Sequence, residues 1–251
     1  MTCHLAIIGR GRLGRSLERL LGSSPWTLTL VGRPPYDESL LAAADAVLLA
    51  VPDRAVAEAA RLVPEGPVVL HCSGALDTGV LRPRRRVGSF HPLMTFPGPE
   101  VALPDLTGVP AALAGDPDAV AFGRRLAHQL GMQPLHVPGD RRLYHAAAVM
   151  AGNFATVLLA DAARVLHEAG VARDEAASAL LPLALASLRN ASPDPARALT
   201  GPAARGDLST VQAHQEALEA ADLPAEAEVY RTMSLRALQL ARQGAEETSE
   251  H

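Results

Sequence analysis

The chain has 251 residues, enough for one large domain or two modest ones, each with its own core. Its net charge of −4 gives no overall attraction to nucleic acid or to an anionic membrane. No apolar run approaches the roughly 20 residues needed to span a bilayer, and the N-terminal apolar strand leads directly into a glycine loop rather than a signal-peptide cleavage site. The sequence therefore predicts neither a nucleic-acid nor a membrane partner.

The basic residues are unusual because all 23 of them are arginine and none is lysine. Schiff-base chemistry and a lysine general acid are therefore excluded, since arginine stays protonated at working pH. Two cysteines, Cys3 and Cys72, are too few for a disulfide framework and favour a reducing cytoplasm. Arginines cluster at residues 82–86 and at 141–142, where solvated surface is favoured over an anion site.

The first half of the chain alternates short apolar runs with helical patterns, which is typical of a parallel sheet covered on both faces. The predicted strands are His4–Ile8, Thr27–Val31, Asp45–Val51, Val68–His71, Val87–Phe90, Pro110–Leu113 and Pro134–Val137. The predicted helices between them are Arg12–Leu21, Arg54–Leu62 and Pro117–Leu130. This order indicates an α/β, Rossmann-like domain with a mostly parallel sheet over residues 1–139.

Beyond residue 139, alanine and leucine dominate at helical spacing and no further β-branched run occurs. The predicted helices are Arg142–Gly170, Asp174–Asn190, Leu208–Ala221 and Ala225–Gln243, followed by a polar, frayed tail over residues 244–251. The sequence thus predicts an all-helical C-terminal domain over residues 140–251.

The loop after the first strand carries the GxGxxG pattern Gly9-Arg10-Gly11-Arg12-Leu13-Gly14. Alone this pattern is a weak signal, but here it follows a predicted strand and opens a predicted helix. Gly9 permits the tight turn, Gly11 lets the backbone approach a pyrophosphate, and Gly14 lets the helix pack close to the strand. The helix N-terminus then receives the phosphates. The loop predicts a dinucleotide site.

The end of the second strand indicates which dinucleotide is bound. An NAD site usually places Asp or Glu there, but this chain has Arg33, nineteen residues after Gly14. Arginine suits a 2′-phosphate, and Arg10 can assist, so NADP(H) is favoured over NAD. Val51, Pro52 and Asp53 end the third strand at the same edge, where Asp53 can either contact the cofactor or cap the next helix.

Five segments of the chain resemble a bacterial group of predicted oxidoreductases that join a Rossmann-like domain to a C-terminal helical domain of unknown function. The segments are residues 45–53, His71-Cys72-Ser73-Gly74, Ser89-Phe90-His91-Pro92-Leu93, Tyr144-His145-Ala146-Ala147-Ala148 with Asn153, and Leu199-Thr200-Gly201-Pro202 with Arg205-Gly206-Asp207. The resemblance implies an architecture shared with pyrroline-5-carboxylate reductase, ketopantoate reductase and the β-hydroxyacid dehydrogenases. In many of those relatives a lysine on the first helix of the second domain donates a proton, with an asparagine one or two turns later.

Because the chain has no lysine, His145 is the candidate for the proton-donor position, with Asn153 eight residues further on. Histidine titrates near neutrality and can protonate a forming alkoxide or amine. The alternative is that Tyr144 and His145 only fill a domain junction. We expect His145 and Asn153 to be the catalytic pair.

Ser73 and His91 follow or end strands in the first domain and are candidates for substrate binding, Ser73 through its hydroxyl and backbone N–H. The segment at His91-Pro92 is similar to one beside the substrate of prephenate dehydrogenases. His71, His91 and His145 come from three separate elements and could instead suggest a metal site. No Asp, Glu or Cys joins them at a ligand spacing, so no metal is predicted.

The predicted loop over residues 200–207 supplies further candidates for substrate binding. Arg205 can clamp an anionic group bidentately or pin the start of the next helix, which Asp207 is placed to cap. Thr200 belongs to the same loop, and His214 lies one turn beyond Thr210 on the next helix.

The leading hypothesis is NADPH-dependent reduction of a C=O or C=N bond in a small carboxylate-bearing metabolite, with a ketopantoate-like 2-oxo acid as the first guess. Pyrroline carboxylates and a prephenate-like oxidation come next. The alternative from another class is a non-catalytic NADP-binding sensor or assembly protein. The resemblance also implies a homodimer formed by the helical domain.

Overall fold

The structure is a computed structural model that describes residues 2–98, 100–192 and 194–249. Its backbone contacts divide the chain into two compact units, residues 1–151 and 152–251. The predicted domain boundary lies at 139/140, whereas the two units divide at 151/152. The helix that follows Asp140 therefore groups with the first unit.

The first unit contains a seven-stranded sheet and the helices that cover it. The strands are β1 His4–Ile8, β2 Thr27–Val31, β3 Ala46–Leu49, β4 Val68–His71, β5 Val87–Pro92, β6 Pro110–Gly115 and β7 Gln133–His136. The helices are α1 Arg12–Leu21, α2 Glu38–Ala42, α3 Val56–Arg61, α4 Pro117–Gln129 and α5 Arg141–Val149, with 3₁₀ turns at Asp53–Ala55 and Thr78–Leu81.

The sheet has the strand order β2-β1-β3-β4-β5-β6-β7. Strands β1 to β5 are parallel, β6 runs antiparallel to β5, and β7 is parallel to β6. Alternate residues of β1, β3 and β4 enter two separate hydrophobic clusters, one on each face; in β1, Leu5 and Ile7 belong to one cluster and Ala6 and Ile8 to the other. The Rossmann-like, mostly parallel sheet predicted from the sequence is confirmed.

The second unit contains only helices among its described residues. They are α6 Ala155–Glu168, α7 Arg173–Ala191, α8 Pro195–Ala198, α9 Pro202–Arg205, α10 Leu208–Ala220 and α11 Pro224–Ser249. A small core forms around Leu218, Leu223 and Ala227. The helical C-terminal region is thus also confirmed.

Several element bounds differ from the predicted ones for local reasons. The helix predicted over 142–170 is interrupted by a π turn at Met150–Phe154, which divides it into α5 and α6. The segment 200–207, predicted as a loop, contains the short helix α9 between two glycines with positive φ, Gly201 at 98° and Gly206 at 72°. The tail predicted as frayed is helical to Ser249, and residues 250 and 251 lie outside the described part.

One stretch of the described chain, residues 141–168, is long and apolar enough to cross a membrane by length and composition alone. The sequence shows no continuous apolar run here, because Asn153, Thr156 and Asp161 interrupt the apolar residues. A single helix of this kind is weak evidence for a membrane span.

Candidate cofactor and active site

The glycine loop after β1 is held by steric contacts that only glycine permits. Gly9 has φ at +124°, and a Cβ there would lie 2.2 Å from the Ala50 carbonyl oxygen. A Cβ on Gly14 would lie 1.9 Å from the Gly9 carbonyl oxygen. Gly11 differs, because a Cβ there would have no described atom within 4 Å. Gly9 and Gly14 therefore shape the turn, while Gly11 faces open space that a ligand can approach.

Helix α1 begins at the loop with its N-terminal backbone available. Gly11 is the N-cap residue, and no side chain in the described part of the chain caps the helix there. Its first turn carries no acidic residue. The positive end of the helix dipole is therefore not offset locally, which suits an anionic group.

A cleft of about 580 Å³ lies beside the start of α1 and carries a concentration of positive charge. The charged residues that line it are Arg10, Arg12, Arg15, Glu18 and Arg19. Leu13, the remaining loop residue, instead packs partly buried against the hydrophobic cluster on one face of the sheet. The excess of arginine over acid makes the cleft attractive to a polyanion.

The side chain of Arg10 reaches from the loop after β1 to the end of β2, the place where dinucleotide-binding folds hold the adenosine ribose. Its Nη2 donates to the Leu30 carbonyl oxygen at 3.3 Å, and its side chain passes about 3.5 Å from where a Gly32 Cβ would lie. Arg15 Nε donates to the Arg10 carbonyl oxygen at 3.0 Å and so supports the loop. Arg33 is exposed and makes no hydrogen bond or ion pair with any described residue.

The end of β3 is close to the histidines described next. Val51 and Pro52 lead into the 3₁₀ turn that begins at Asp53, and no described side chain, including that of Asp53, makes a capping hydrogen bond there. The predicted capping role of Asp53 is therefore absent from this part of the structure. Its exposed carboxylate acts electrostatically on His71 and His91.

His71 and Ser73 are fixed by hydrogen bonds around the end of β4. The Ser73 backbone N–H donates to His71 Nδ1 at 3.2 Å, so the proton of a neutral His71 ring is on Nε2. The Ser73 hydroxyl oxygen accepts from the backbone N–H groups of Ala75 and Leu76 at 3.2 and 3.0 Å. Ser73 Oγ thus stabilises a local turn. Cys72 enters the hydrophobic cluster on one face of the sheet, and its thiol is free and buried.

His91, Tyr144 and His145 come together around Gly74. The Tyr144 hydroxyl lies 2.8 Å from His91 Nδ1, and the His91 and His145 ring centroids are 6.0 Å apart. A Cβ on Gly74 would lie 2.4 Å from His145 Cδ2 and 2.9 Å from His91 Nε2. Only glycine leaves room for both rings here. The structure thus brings predicted residues from β5 and α5 into one cluster within the first unit.

Arg141 is the residue of this cluster that the sequence analysis missed. It was grouped with Arg142 as solvated surface, yet Arg141 is only 8% exposed. Its Nη2 donates to the Ser73 carbonyl oxygen at 3.0 Å, and its guanidinium carbon lies 5.1 Å from the Tyr144 ring centroid. Arg142 does behave as expected, since it is exposed and pairs with Asp140 at 2.7 Å. Nothing in the sequence pattern distinguishes the two.

Burial makes His71 and His91 poor bases. The pKa of His71 falls to about 4, first through burial and then through the nearby Arg141 charge. The pKa of His91 falls to about 4 through burial, with Arg141 and His145 contributing. Burial raises the pKa of Tyr144. At neutral pH the His71 and His91 imidazoles are therefore uncharged, and Arg141 carries a positive charge beside them.

The remaining predicted residues lie in the second unit. Asn153 is exposed in the π turn, and Thr200 and Arg205 are exposed before and at the end of α9. Asp207 caps α10 as predicted, accepting from the Thr210 backbone N–H at 3.1 Å. His214 is exposed on α10, and its Nδ1 lies 2.7 Å from the Tyr230 hydroxyl.

The arginines of residues 82–86 include three that make defined structural contacts. Arg82 pairs with Asp116 at 2.7 Å and Arg86 with Asp118 at 3.0 Å. Arg84 donates to the carbonyl oxygens of residues 63 and 64, both at 2.7 Å. These side chains hold loops in place. Among the described residues, no group of three or more His, Cys, Asp or Glu side chains could hold a metal ion.

The sheet order, the glycine loop and the helical second unit define a Rossmann-like protein with a helical C-terminal region. The chain belongs to the family described as a domain of unknown function, DUF2520, whose model matches residues 109–237, just over half of the chain. No curated protein matches the chain.

Solved structures with the same fold cover nearly all of the chain. A proposed NADP oxidoreductase from Bacteroides fragilis is 24% identical, with a TM-score of 0.76 over 95% of this chain and 98% of that one. Pyrroline-5-carboxylate reductase from Streptococcus pyogenes is 12% identical, with a TM-score of 0.61 over 95% and 99%. A reductive aminase from Aspergillus terreus, solved with NADPH and ethyl levulinate, is 16% identical, with a TM-score of 0.67 over 97% and 95%.

Proposed function

We propose that the chain is an NADP(H)-dependent oxidoreductase, and the glycine loop is the observation that carries the proposal. Positions 9 and 14 require glycine, because a Cβ there would overlap a backbone carbonyl oxygen. Gly11 instead lines the arginine-rich cleft. The pyrophosphate would lie on the N-terminus of α1. Strands β2 and β4 are three strand spacings apart, about 14 Å. A dinucleotide with its adenosine ribose at β2 would therefore reach toward the histidine cluster with its nicotinamide.

NADP(H) is proposed over NAD because two arginines lie at the end of β2. Arg10 reaches over Gly32, and Arg33 is exposed with its charge unpaired among the described residues. A guanidinium can bind a phosphate bidentately. Two of the similar structures support this choice, because one is a proposed NADP oxidoreductase and the other was solved with NADPH.

The proposed reaction is reduction of a C=O or C=N bond in a small carboxylate-bearing metabolite, with a ketopantoate-like 2-oxo acid as the first candidate. NADPH would supply the hydride. His145, which lies beside Gly74, would donate the proton to the forming alkoxide or amine. Ser73, His91, Asn153, Thr200, Arg205 and His214 remain the proposed residues for orienting the substrate.

Cofactor titration tests the first part of the proposal. NADPH fluorescence should show saturable binding to the wild-type chain, tighter than NADH. Arg33→Ala and Arg10→Ala should each weaken NADPH binding about tenfold or more while leaving NADH unchanged, because a phosphate contact is lost. Arg61→Ala, an exposed arginine of α3, is the matched control. No affinity for either dinucleotide would overturn the proposal.

Turnover tests the second part. NADPH consumption would be followed across 2-oxo acids and cyclic imines for wild type, His145→Ala and the exposed-histidine control His128→Ala. Loss of a general acid should lower kcat by about 100-fold or more. Undiminished turnover in His145→Ala would remove His145 from the mechanism.

A second candidate function is a non-catalytic NADP-binding sensor or assembly protein, and the absence of lysine favours it. The chain lacks the proton donor that its resembling families often use. Tight NADPH binding with no oxidation across a broad panel of metabolites would support this candidate.

We also propose a homodimer formed through the helical unit, in a cytoplasmic protein. Large apolar side chains are exposed there, including Leu183 at 65% and Leu188 at 58% on α7. Exposed apolar surface of this kind is typical of an interface. Light scattering should give twice the chain mass, and Leu183→Glu with Leu188→Glu should give the monomer.

A further inference from the structure

Buried hydrogen-bond donors without acceptors are concentrated at the carboxyl ends of β4 and β5. Arg141 Nε and Nη1 and Ser89 Oγ are buried with no partner among the described residues, and the buried His71 ring lies beside them against the Asp77 backbone. His71 and Ser89 are register partners on neighbouring strands, so their side chains lie side by side on one face of the sheet. The guanidinium is connected to the same turn through the Ser73 carbonyl oxygen.

The charge of this cluster is also unbalanced. Arg141 makes no ion pair with any described carboxylate within 4 Å. Asp53 and Asp77 act electrostatically on His71, but neither bonds to the guanidinium. Both nearby histidines are neutral at pH 7, and a buried, unpaired guanidinium is costly. An anion that supplies acceptors and a negative charge would offset that cost.

We propose that Arg141 is the anchor of a buried anion site that takes the carboxylate group of the substrate. Arg141 and His145 are four residues apart on α5, so they lie on one face, about 6 Å apart along the helix axis. A carboxylate held at Arg141 would place an adjacent carbonyl or imine carbon near His145. The carboxylate role expected of Arg205 is thus assigned to Arg141.

Access to the site requires a side chain to move. The unpartnered guanidinium nitrogens are covered in this structure, and the Tyr144 ring lies against the guanidinium. The Tyr144 hydroxyl is held only by His91 among the described residues. Binding of the anion would therefore displace the Tyr144 ring. The anion site itself does not depend on redox chemistry, whereas its assignment to a substrate carboxylate rests on the proposed function.

Anion binding can be measured without turnover. The probes are 2-oxobutanoate, its neutral methyl ester and inorganic phosphate at equal ionic strength, each titrated by calorimetry and by thermal unfolding of the wild-type chain. We expect saturable binding of 2-oxobutanoate, and binding of the ester and of phosphate that is at least tenfold weaker. Arg141→Met should weaken 2-oxobutanoate binding about 100-fold, because a desolvated charge partner is removed. The neighbouring Arg142→Met should leave it unchanged.

NADPH binding to Arg141→Met separates this inference from the proposed function. Unchanged NADPH affinity shows that Arg141→Met is folded. If that variant is not folded, Arg141→Lys is measured in its place, and it should keep part of the carboxylate affinity. Carboxylate binding that is equal in wild type and Arg141→Met would overturn the site. Phosphate binding as tight as that of 2-oxobutanoate would overturn the assignment to a carboxylate. Anion binding without NADPH consumption would leave the site standing while contradicting the redox function.

Discussion

The two ends of the candidate site lie at the same edge of one sheet, but they differ in solvent exposure and in how their charges are paired. At β1 and β2 the loop is open, the arginines are exposed, and the steric requirements concern the backbone of Gly9 and Gly14. At β4 and β5 the groups are buried, His71 and His91 are neutral, and Arg141 carries a charge without a partner. The first arrangement suits a phosphate group that stays partly hydrated. The second arrangement suits a small group that is fully desolvated.

The largest expected effect separates the glycines of the loop by their roles. Gly9→Ala should lower the free energy of unfolding by about 3 kcal/mol or more, since a Cβ would overlap the Ala50 carbonyl oxygen at an unfavourable φ. Gly11→Ala should cost less than about 1 kcal/mol, because its Cβ would have no described neighbour within 4 Å and only a poorer N-cap residue is introduced. Urea unfolding measures both values.

The same pair of variants should behave differently toward the cofactor. Gly11→Ala should weaken NADPH binding about tenfold or more although the protein is fully folded, because the added methyl group lies where the pyrophosphate approaches. Equal stability losses in Gly9→Ala and Gly11→Ala would contradict the division of roles between the two glycines.

The second prediction concerns the pH dependence of the buried end. The pKa of His71 is about 4 in the folded chain against 6.5 when exposed, so the unfolded chain binds a proton first as the pH falls. Stability is therefore lost between pH 6.5 and about 4, and His71 should account for about 2 kcal/mol between pH 7 and pH 5. His71→Asn should remove that portion, because asparagine does not titrate and can still accept from the Ser73 N–H.

Unfolding of both chains at pH 7 and pH 5 measures the difference in slope. His128→Asn replaces an exposed histidine of α4 and should keep the wild-type pH dependence. A slope in His71→Asn that equals that of the wild type would show that His71 is protonated in the folded protein.

The sequence predicted the open end well because its information is local. The loop Gly9–Gly14, helix α1 and the strand ending before Gly32 lie within thirty-two residues, and their spacing alone implies the turn. The strand bounds of β1, β2 and β4 agree with the predicted ones, and β1 and β4 are buried over nearly their whole length. The position of Arg10 over Gly32 depends on its rotamer and could not be predicted.

The buried end was predicted only in part because its residues come from distant segments. His91 and His145 were recognised through resemblance, but the hydrogen bond between His91 and Tyr144 joins residues 53 positions apart, and no local pattern indicates it. Arg141 and Arg142 are adjacent and chemically identical, and only the helical geometry of α5 buries one and exposes the other. The π turn at Met150–Phe154 could not be predicted, because its sequence pattern is the same as that of a continuous α-helix.

The smallest expected effect compares two similar histidine–tyrosine pairs. Tyr144→Phe removes the hydroxyl that lies 2.8 Å from the partly buried His91, and it should lower the free energy of unfolding by about 1 kcal/mol. Tyr230→Phe removes an equivalent contact of 2.7 Å to His214, but His214 is exposed and water can replace the hydroxyl. The second variant should therefore cost less than about 0.5 kcal/mol. Urea unfolding of both variants tests the contrast, since equal losses would mean that burial at the β4–β5 end does not strengthen its hydrogen bonds.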